Sequence, residues 1–381
     1  MSKNADKYQF FAESLAKICS HSLVAQGRRL RWVIIANPTA GGFTMKSRWN
    51  KCKKALDESC EAAQSNRRRE GCAPAVMASS ADSVHAAYGL ITTIGPGSAA
   101  EITGAFIKEA CTAFEDSGTP PFYLIITAGG DGTSLEVLSA LYRAPASVRS
   151  HCAVLRLPMG TGNDGADSPS LAGALDFLIK PTQIELTPAL QLVTAAGGPA
   201  GSKGPFLAFN ILSAGLDAFV THMTNKMKGK LPGDFYKLWV DIASLLYDRL
   251  YKVDMLNVRA LDGQGGEVIS FEEKLLLLAV GASGHRTYGS QKKILPDDRN
   301  VCAVKQMPLL RKLALKGLFT TGGHINKPES ILFNAHQVEF RGRHPMLAQM
   351  DGEAVLLQPQ DFPASIKLTE PVIPVLKITE S

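Results

Sequence analysis

The segment from Gly129 to Thr133 has the residue types of a phosphate-binding turn. An apolar run of strand length precedes it at 122–128, and a helix-like run follows at 134–141. Glycine lets a backbone take positive φ and approach a ligand closely, and amides at the start of a helix can bind a phosphate. Asp131 would add a carboxylate suited to Mg²⁺ or a ribose hydroxyl. The alternative is an ordinary glycine turn in which Asp131 is the helix N-cap.

Two more segments follow the pattern of a strand that runs into a glycine turn. After the run 31–36 come Asn37, Pro38, Thr39, Ala40, Gly41 and Gly42. After the run 153–157 come Pro158, Met159, Gly160, Thr161, Gly162, Asn163 and Asp164. In an α/β sheet such loops gather at the carboxyl ends of the strands, where ligands bind. We therefore expect the three loops to form one binding site.

A dinucleotide site is a competing interpretation of the third loop. Gly160, Gly162 and Gly165 form a G-x-G-x-x-G pattern, and Glu185 lies about where a ribose-binding acid is expected. We disfavour it because Asp164 would bring negative charge to the pyrophosphate and Glu185 opens its strand-like run. The other two glycine loops would also have no role. No Walker A sequence occurs in the chain.

Asp351 and Glu353 provide a pair of carboxylates near the C-terminus. A strand would project these alternate positions to one face, and Gly352 between them would allow close approach of a substrate. The alternative is a hairpin turn with a solvated acid, since Asp-Gly is a strong turn pair.

The three glycine segments resemble, in order, the signatures of the diacylglycerol kinase catalytic-domain family. That family includes bacterial lipid kinases and the sphingosine and ceramide kinases. The resemblance covers roughly residues 31–381, because 210–218, 286–298 and 350–353 also resemble later family segments. The first two signatures alone would also fit NAD kinases or, more loosely, phosphofructokinases.

This resemblance implies an ATP-dependent kinase that phosphorylates a lipid hydroxyl, with diacylglycerol as first choice. It implies that Glu353 is the general base, that Asp351 supports it or a metal, and that Mg²⁺ is bound by Asp131 and Asp164. It implies nucleotide contacts from Asn37, Pro38, Thr39, Gly41, Gly129, Gly130, Asp131, Gly132, Thr133, Gly160, Thr161, Gly162 and Asn163. The alternatives are another lipid acceptor (a sphingoid base, ceramide or a phosphatidylglycerol-like lipid), an NAD-kinase-like soluble kinase, or a non-catalytic nucleotide- or lipid-binding member.

The chain departs from the family pattern on the side expected to face the acceptor. Gly165 replaces a large apolar residue, Asp167 replaces a frequent arginine, and residues 290–292 replace part of a glycine run. The stretch 66–84 is longer than the family norm. These departures leave the identity of the lipid open.

We predict three parts in the chain. Residues 1–30 form an N-terminal extension that contains a short amphipathic helix. Residues 31–182 form the nucleotide-binding α/β domain, of NAD-kinase/diacylglycerol-kinase type, with a parallel sheet and flanking helices. Residues 183–381 form a β-rich lipid-substrate domain, mainly an antiparallel β-sandwich, whose last segment can return to the first domain; the run 183–186 is assigned here as a strand.

Composition and charge point to a partner at a membrane surface. The 381 residues are 45% hydrophobic with net charge +6, and no run approaches the roughly 20 apolar residues of a membrane span. Basic residues precede an apolar run at 226–246 and alternate with apolar residues at 305–319, which suits an anionic bilayer, although a packed helix with a solvated cationic face is the alternative. Nucleic acid is not expected. Seven dispersed cysteines fit free thiols in a reducing compartment, so we expect a cytoplasmic protein. The basic and apolar stretches lead us to expect peripheral association with the membrane. A homodimer is left open.

Overall fold

The computed structural model describes residues 2–22, 24, 28–70, 89–116, 120–198, 206–227, 247, 251–253, 255–289 and 292–379. The chain forms two compact units, one of residues 1–187 with 371–381 and the other of residues 188–370. The insertion at 66–84 and the basic–aromatic stretch at 226–246 lie largely outside the described residues.

The first unit is an α/β structure. Its elements are α1 (Ser2–Cys19), β1 (Leu30–Ala36), α2 (Gly41–Thr44), α3 (Lys46–Glu70), β2 (Leu90–Thr92), α4 (Ser98–Asp116), β3 (Phe122–Gly129), α5 (Asp131–Tyr142), α6 (Ala146–Arg149), β4 (Cys152–Pro158), α7 (Leu171–Ile179), β5 (Thr182–Thr187) and the C-terminal strand β19 (Ile373–Ile378).

Six strands of this unit form one sheet in the order β2-β1-β3-β4-β19-β5. All neighbouring pairs are parallel except β19 with β5. Every residue of β3 is buried, as expected for a parallel strand covered by helices on both faces. One face packs against α1, α3 and α7, and Tyr123 on the other face contacts Phe106 of α4. The predicted parallel α/β architecture is thus confirmed.

The position of β5 differs from the predicted domain assignment. The run 183–186 was expected in the antiparallel domain, but β5 pairs with β19 in the sheet of the first unit. Its partner β19 lies nearly two hundred residues further along the chain, so the local sequence around β5 does not indicate this pairing.

The second unit is an antiparallel β structure, as predicted. Its described elements are β6 (Leu190–Thr194), β7 (Phe206–Ala208), β8 (Ile211–Gly215), α8 (Leu216–Met227), β9 (Met255–Leu261), β10 (Glu267–Gly281), β11 (Arg286–Tyr288), β12 (Lys292–Leu295), β13 (Val301–Lys305), α9 (Leu309–Thr321), β14 (Ser330–Phe333), β15 (Gln337–Arg341), β16 (Met346–Met350), β17 (Glu353–Leu357) and β18 (Ala364–Leu368), with 3₁₀ turns at Gly323–Asn326 and Pro359–Asp361.

The long strand β10 connects the two halves of the main sheet in this unit. Its first half pairs with β9 and its second half with β8 and β13. Across the sheet the strand order is β17-β16-β8-β10-β9-β15-β18-β6-β7, so β10 has neighbouring strands on either side. Alternate residues such as Val258, Leu278 and Phe340 fill the core of the unit.

The N-terminal helix α1 packs on the first unit through its apolar face, which confirms the predicted amphipathic helix. Phe11, Leu15 and Ile18 are fully buried. Tyr8 and Phe11 each contact the ring of Phe43 edge-on at 5.2 Å. Among the residues that the structure describes, no helix has both the length and the hydropathy needed to cross a bilayer.

Candidate active site

Three glycine loops lie side by side at one edge of the parallel sheet. We name them loop 1 (37–42), loop 2 (129–133) and loop 3 (158–165). They adjoin because β1, β3 and β4 end in register, with Ala36 opposite Ala128 and Gly129 opposite Pro158. The Gly42 amide of loop 1 also donates to the carbonyl of Met159 in loop 3, at 2.8 Å. The prediction that the loops gather at one edge is confirmed.

Loop 1 is shaped by its own side chains. Asn37 Oδ1 accepts hydrogen bonds from the amide of Thr39 at 3.0 Å and from its hydroxyl at 2.8 Å. This is the turn that asparagine favours when it bonds to backbone two residues ahead. The Pro38 carbonyl accepts from the hydroxyl of Tyr8 on α1 at 3.4 Å. Loop 1 is therefore held between helix α1 and the sheet.

Arg48 of α3 bonds to loop 3 and packs beside Gly41 of loop 1, a role that sequence reasoning missed. Its Nη1 donates to the Gly160 carbonyl at 2.9 Å, and a Cβ on Gly41 would lie 3.0 Å from the same Nη1. Glycine at position 41 thus leaves room for the guanidinium. A lone arginine in an amphipathic helix gives no sequence signal of such a contact.

Loop 2 leads into a helix that no side chain caps. The N-cap is Gly130, with φ −103° and ψ −171°, and Asp131 is the first residue of α5. The alternative in which Asp131 caps the helix is therefore wrong. A Cβ on Gly129 would lie 2.5 Å from the Thr133 hydroxyl, so the side chain of Thr133 folds back over that glycine. This arrangement leaves the start of α5 suited to an anion.

The neighbouring helix α4 shows the contrasting case. Glu136 of α5 accepts from the amides of Gly97 at 2.7 Å and Ala99 at 3.0 Å, so its carboxylate occupies the start of α4. The glycines at 95–97 also follow a strand, yet this helix start already holds an anion supplied by the chain itself.

Loop 3 touches loop 2 backbone to backbone. A Cβ on Gly160 would lie 2.4 Å from the Gly130 Cα. Asn163 has φ 59°, and its Nδ2 donates to the Pro158 carbonyl at 3.3 Å, which closes the loop on itself. Its Oδ1 is buried without a hydrogen-bond partner among the described residues. That oxygen is an acceptor that a bound ligand could satisfy.

Asp131 and Asp164 face a common space. A Cβ on Gly162 would lie 2.8 Å from Asp131 Oδ2 and 3.4 Å from Asp164 Oδ2. The Gly165 amide donates to Asp131 Oδ1 at 2.9 Å, which orients this carboxylate. Mg²⁺ in kinases is bound by one or two carboxylates together with phosphates and water. The two carboxylates fit such an ion; no group of three or more potential ligands exists in the described parts of the chain.

In the second unit, Asp351 and Gly352 form a hairpin turn between β16 and β17. Both have positive φ, 45° and 100°, and Met350 pairs with Glu353 across the turn, as in a type I′ turn. The prediction that a strand projects Asp351 and Glu353 to one face is therefore wrong. Asp351 is only 8% exposed, whereas Glu353 is exposed at the first position of β17.

The Asp351 carboxylate binds backbone. It accepts from the amides of Phe209 at 2.5 Å, Asn210 at 3.1 Å and Ile211 at 2.9 Å. Three amide donors satisfy a buried carboxylate and fix the turn to the start of β8. Asp351 thus holds the backbone that carries Glu353.

Comparison with known proteins agrees with this geometry. Residues 31–185 match the model of the diacylglycerol kinase catalytic domain. Residues 31–185 thus carry a diacylglycerol kinase catalytic domain. The matched segment contains all three glycine loops, Asp131 and Asp164.

Named relatives of the family extend the match beyond this segment. A "Probable lipid kinase YegS-like" from Enterobacter sp. (strain 638) is 28% identical over 251 residues, which is 65% of this chain and 75% of the relative. A protein of the same name from Xanthomonas euvesicatoria pv. vesicatoria (strain 85-10) is 26% identical over 239 residues, 61% of this chain and 72% of the relative.

A solved structure shares the fold. The crystal structure of a candidate diacylglycerol kinase from Bacillus anthracis str. Sterne superposes with a TM-score of 0.54 at 17% identity, covering 92% of this chain and 97% of that one. A likeness at this identity concerns the fold, an α/β domain followed by an antiparallel β domain.

Asp167, which departs from the family pattern, has a structural role here. It forms an ion pair with Arg156 of β4, Oδ1 to Nη2 2.5 Å, and its Oδ2 accepts from the Arg156 amide at 2.7 Å. Both side chains are largely buried. The guanidinium of Arg156 thus neutralises the negative charge of Asp167, and the ion pair fixes the end of loop 3 to β4.

Two further side chains hold the turn of the second unit, and sequence reasoning missed both. Gln349 Oε1 accepts from the Gly352 amide at 3.0 Å, and its Nε2 donates to the Ser213 hydroxyl at 2.9 Å. Asn225 of α8 donates to the Gly352 carbonyl at 2.8 Å. The peptide groups before Glu353 are therefore fixed from two sides. Glutamine and asparagine are too common for this role to be visible in the sequence.

Proposed function

We propose that this protein is a lipid kinase that transfers the γ-phosphoryl group of ATP to a lipid hydroxyl, with diacylglycerol as first-choice acceptor and phosphatidic acid as product. The observation that carries the proposal is the meeting of three glycine loops at one sheet edge, with Asp131 and Asp164 turned to a common space. Both relatives carry the name "Probable lipid kinase YegS-like", which supports a lipid as the acceptor.

The glycine loops serve to bind the ATP phosphates in this proposal. The uncapped start of α5 offers amides to an anion, and Asn163 Oδ1 offers an acceptor. Asp131 and Asp164 would hold Mg²⁺, which supplies positive charge against the phosphates. Positioning and charge neutralisation make up most of the catalysis of phosphoryl transfer.

Glu353 is the proposed general base. The oxygen of the lipid hydroxyl bonds to the γ-phosphorus, the bond from that phosphorus to the β,γ-bridging oxygen breaks, and ADP leaves. The hydroxyl proton passes to the carboxylate of Glu353. An exposed carboxylate on a rigid turn suits this task, because a base must reach the proton it accepts. Asp351 acts on the reaction only through the backbone that it holds.

We further propose that the protein contacts an anionic membrane surface peripherally, since its acceptor is a membrane lipid and the chain carries net charge +6.

The test is transfer of label from γ-labelled ATP by the purified full-length protein. The acceptors are diacylglycerol, ceramide, sphingosine and phosphatidylglycerol, each in mixed micelles, with NAD in solution. Label on diacylglycerol supports the proposal in full, and label on another lipid changes only the acceptor. Label on NAD alone, or on nothing, contradicts it. The variant Glu185→Gln should phosphorylate the same acceptor as the wild type, because Glu185 is an exposed strand glutamate that only the dinucleotide interpretation uses.

A further inference from the structure

Helix α9 of the second unit (Leu309–Thr321) exposes leucines outward. Leu310 is 81% exposed, Leu313 47% and Leu309 41%. Ala314 and Gly317 are also exposed. Positions 310, 313, 314 and 317 follow the i, i+3, i+4, i+7 spacing of one helical face. We call this set of four residues with Leu309 the outward face of α9.

The opposite side of α9 packs against the rest of the second unit. Leu315 and Lys312 are buried, and the ring of Phe319 stacks on His324 with centroids 4.1 Å apart. Gly322 ends the helix in the left-handed conformation, φ 85°. The helix is therefore fixed in place by one face and cannot turn its leucines inward.

The charged residues of α9 itself are all basic. The 13 residues of α9 include Arg311, Lys312 and Lys316 and no acidic residue. Arg311 makes a bidentate pair with Glu329, Nε to Oε1 2.6 Å and Nη2 to Oε2 3.1 Å. Glu329 lies outside the helix, so this pair fixes the first turn of α9. Together with the net charge of +6 on the whole chain, this basic composition favours an anionic partner.

The size of the face argues for a bilayer over a second copy of the chain. A helix of 13 residues is about 20 Å long. The surface area of one convex helix face of that length is much smaller than the roughly 800 Å² that each partner buries in a stable protein interface. A bilayer needs no matching surface, since leucine side chains can enter the acyl boundary while cations attract the headgroups.

We propose that the outward face of α9 docks the protein on an anionic lipid bilayer, with Leu310 and Leu313 entering the apolar boundary. The choice of a bilayer rests on the proposed lipid kinase function. Attachment depends more on the leucines than on charge, because one of the three cations of the helix already pairs with a glutamate and another is buried.

The experiment is flotation of the full-length protein with vesicles of phosphatidylcholine and phosphatidylglycerol, and with phosphatidylcholine alone. The double variant Leu310→Gln with Leu313→Gln should lose roughly a hundredfold in vesicle binding, about tenfold for each leucine that no longer enters the membrane. The matched control is Leu186→Gln, since Leu186 is 51% exposed but lies on β5 of the first unit. The control should bind as the wild type does, and the anionic vesicles should bind more protein than the neutral ones.

Three outcomes would overturn the proposal: wild-type-like binding by the double variant, no vesicle binding by the wild type, or a wild-type dimer that the double variant abolishes. The last would assign the face to self-association. Turnover on a water-soluble short-chain diacylglycerol should stay unchanged in the double variant, because α9 carries no residue of the proposed reaction. If the wild type binds vesicles through this face but phosphorylates no lipid, the proposed function fails and the docking face stands.

Discussion

The contact between Gly130 and Gly160 gives a sharp test of the loop geometry. A methyl group in Gly160→Ala would lie 2.4 Å from the Gly130 Cα and 3.1 Å from its amide nitrogen, where ordinary contacts begin at 3.4 Å. The obstruction is backbone, so loop 2 and loop 3 must separate by about 1 Å. Overpacking of this kind costs roughly 1–3 kcal/mol.

The expected consequence is visible in thermal unfolding. For a unit of this size, 1 kcal/mol corresponds to roughly 2–4 °C, so Gly160→Ala should lower the Tm by about 2–12 °C in scanning calorimetry. A displacement of about 1 Å in groups that position a substrate can also reduce turnover roughly a hundredfold. Both effects arise from the same movement of the loops.

Gly130→Ala is the matched control. Its methyl group would lie 3.6 Å from the Gly160 Cα, an ordinary contact, and its φ of −103° suits any residue. The Tm should therefore stay near the wild-type value. Equal Tm values for Gly160→Ala and the wild type, or an equal loss in both variants, would refute the packing of the two loops.

Three more predictions follow from the described contacts. Asp131→Ala and Asp164→Ala should each weaken Mg²⁺–ATP binding by roughly ten- to a hundredfold in calorimetry; unchanged affinity in both would remove the metal assignment. Gln349→Leu removes the donor to the buried Ser213 hydroxyl and the acceptor of the Gly352 amide, so urea unfolding should show a loss of about 1–3 kcal/mol, and an unchanged midpoint would exclude that role. Burial lowers the pKa of His324 below 6.5. The unfolded chain then binds more protons, so stability is fully present above pH 6.5 and falls as the pH drops below it; His324→Gln should show a weaker fall, and an identical pH profile would count against this account.

The sequence predicted the strands and glycine loops at this edge of the first sheet well. Strand β3 was expected at 122–128 and spans Phe122–Gly129, because a parallel strand covered on both faces is a continuous apolar run. Loops 1, 2 and 3 were located by glycine content, which local backbone demands impose. These features are short-range, and a single sequence carries them.

What the sequence could not show depends on distant partners. Strand β5 was misassigned because its pairing with β19 closes over most of the chain. The inward turn of Asp351 depends on amides at 209–211, and Arg48 acts on Gly160 more than a hundred residues away. Asp167 was expected to face the acceptor, and its partner Arg156 lies on the neighbouring strand. Side-chain roles of this kind require the tertiary structure.

The most direct test of the central claim is the turnover of Glu353→Gln on diacylglycerol micelles, measured with the wild type and with Glu185→Gln. The substitution keeps size and hydrogen-bonding shape but removes the proton acceptor. It should preserve Mg²⁺–ATP binding and lower kcat by roughly a hundredfold or more, while Glu185→Gln retains the wild-type kcat. A Glu353→Gln enzyme with near-normal kcat would show that Glu353 is a solvated turn residue and would contradict the proposed chemistry.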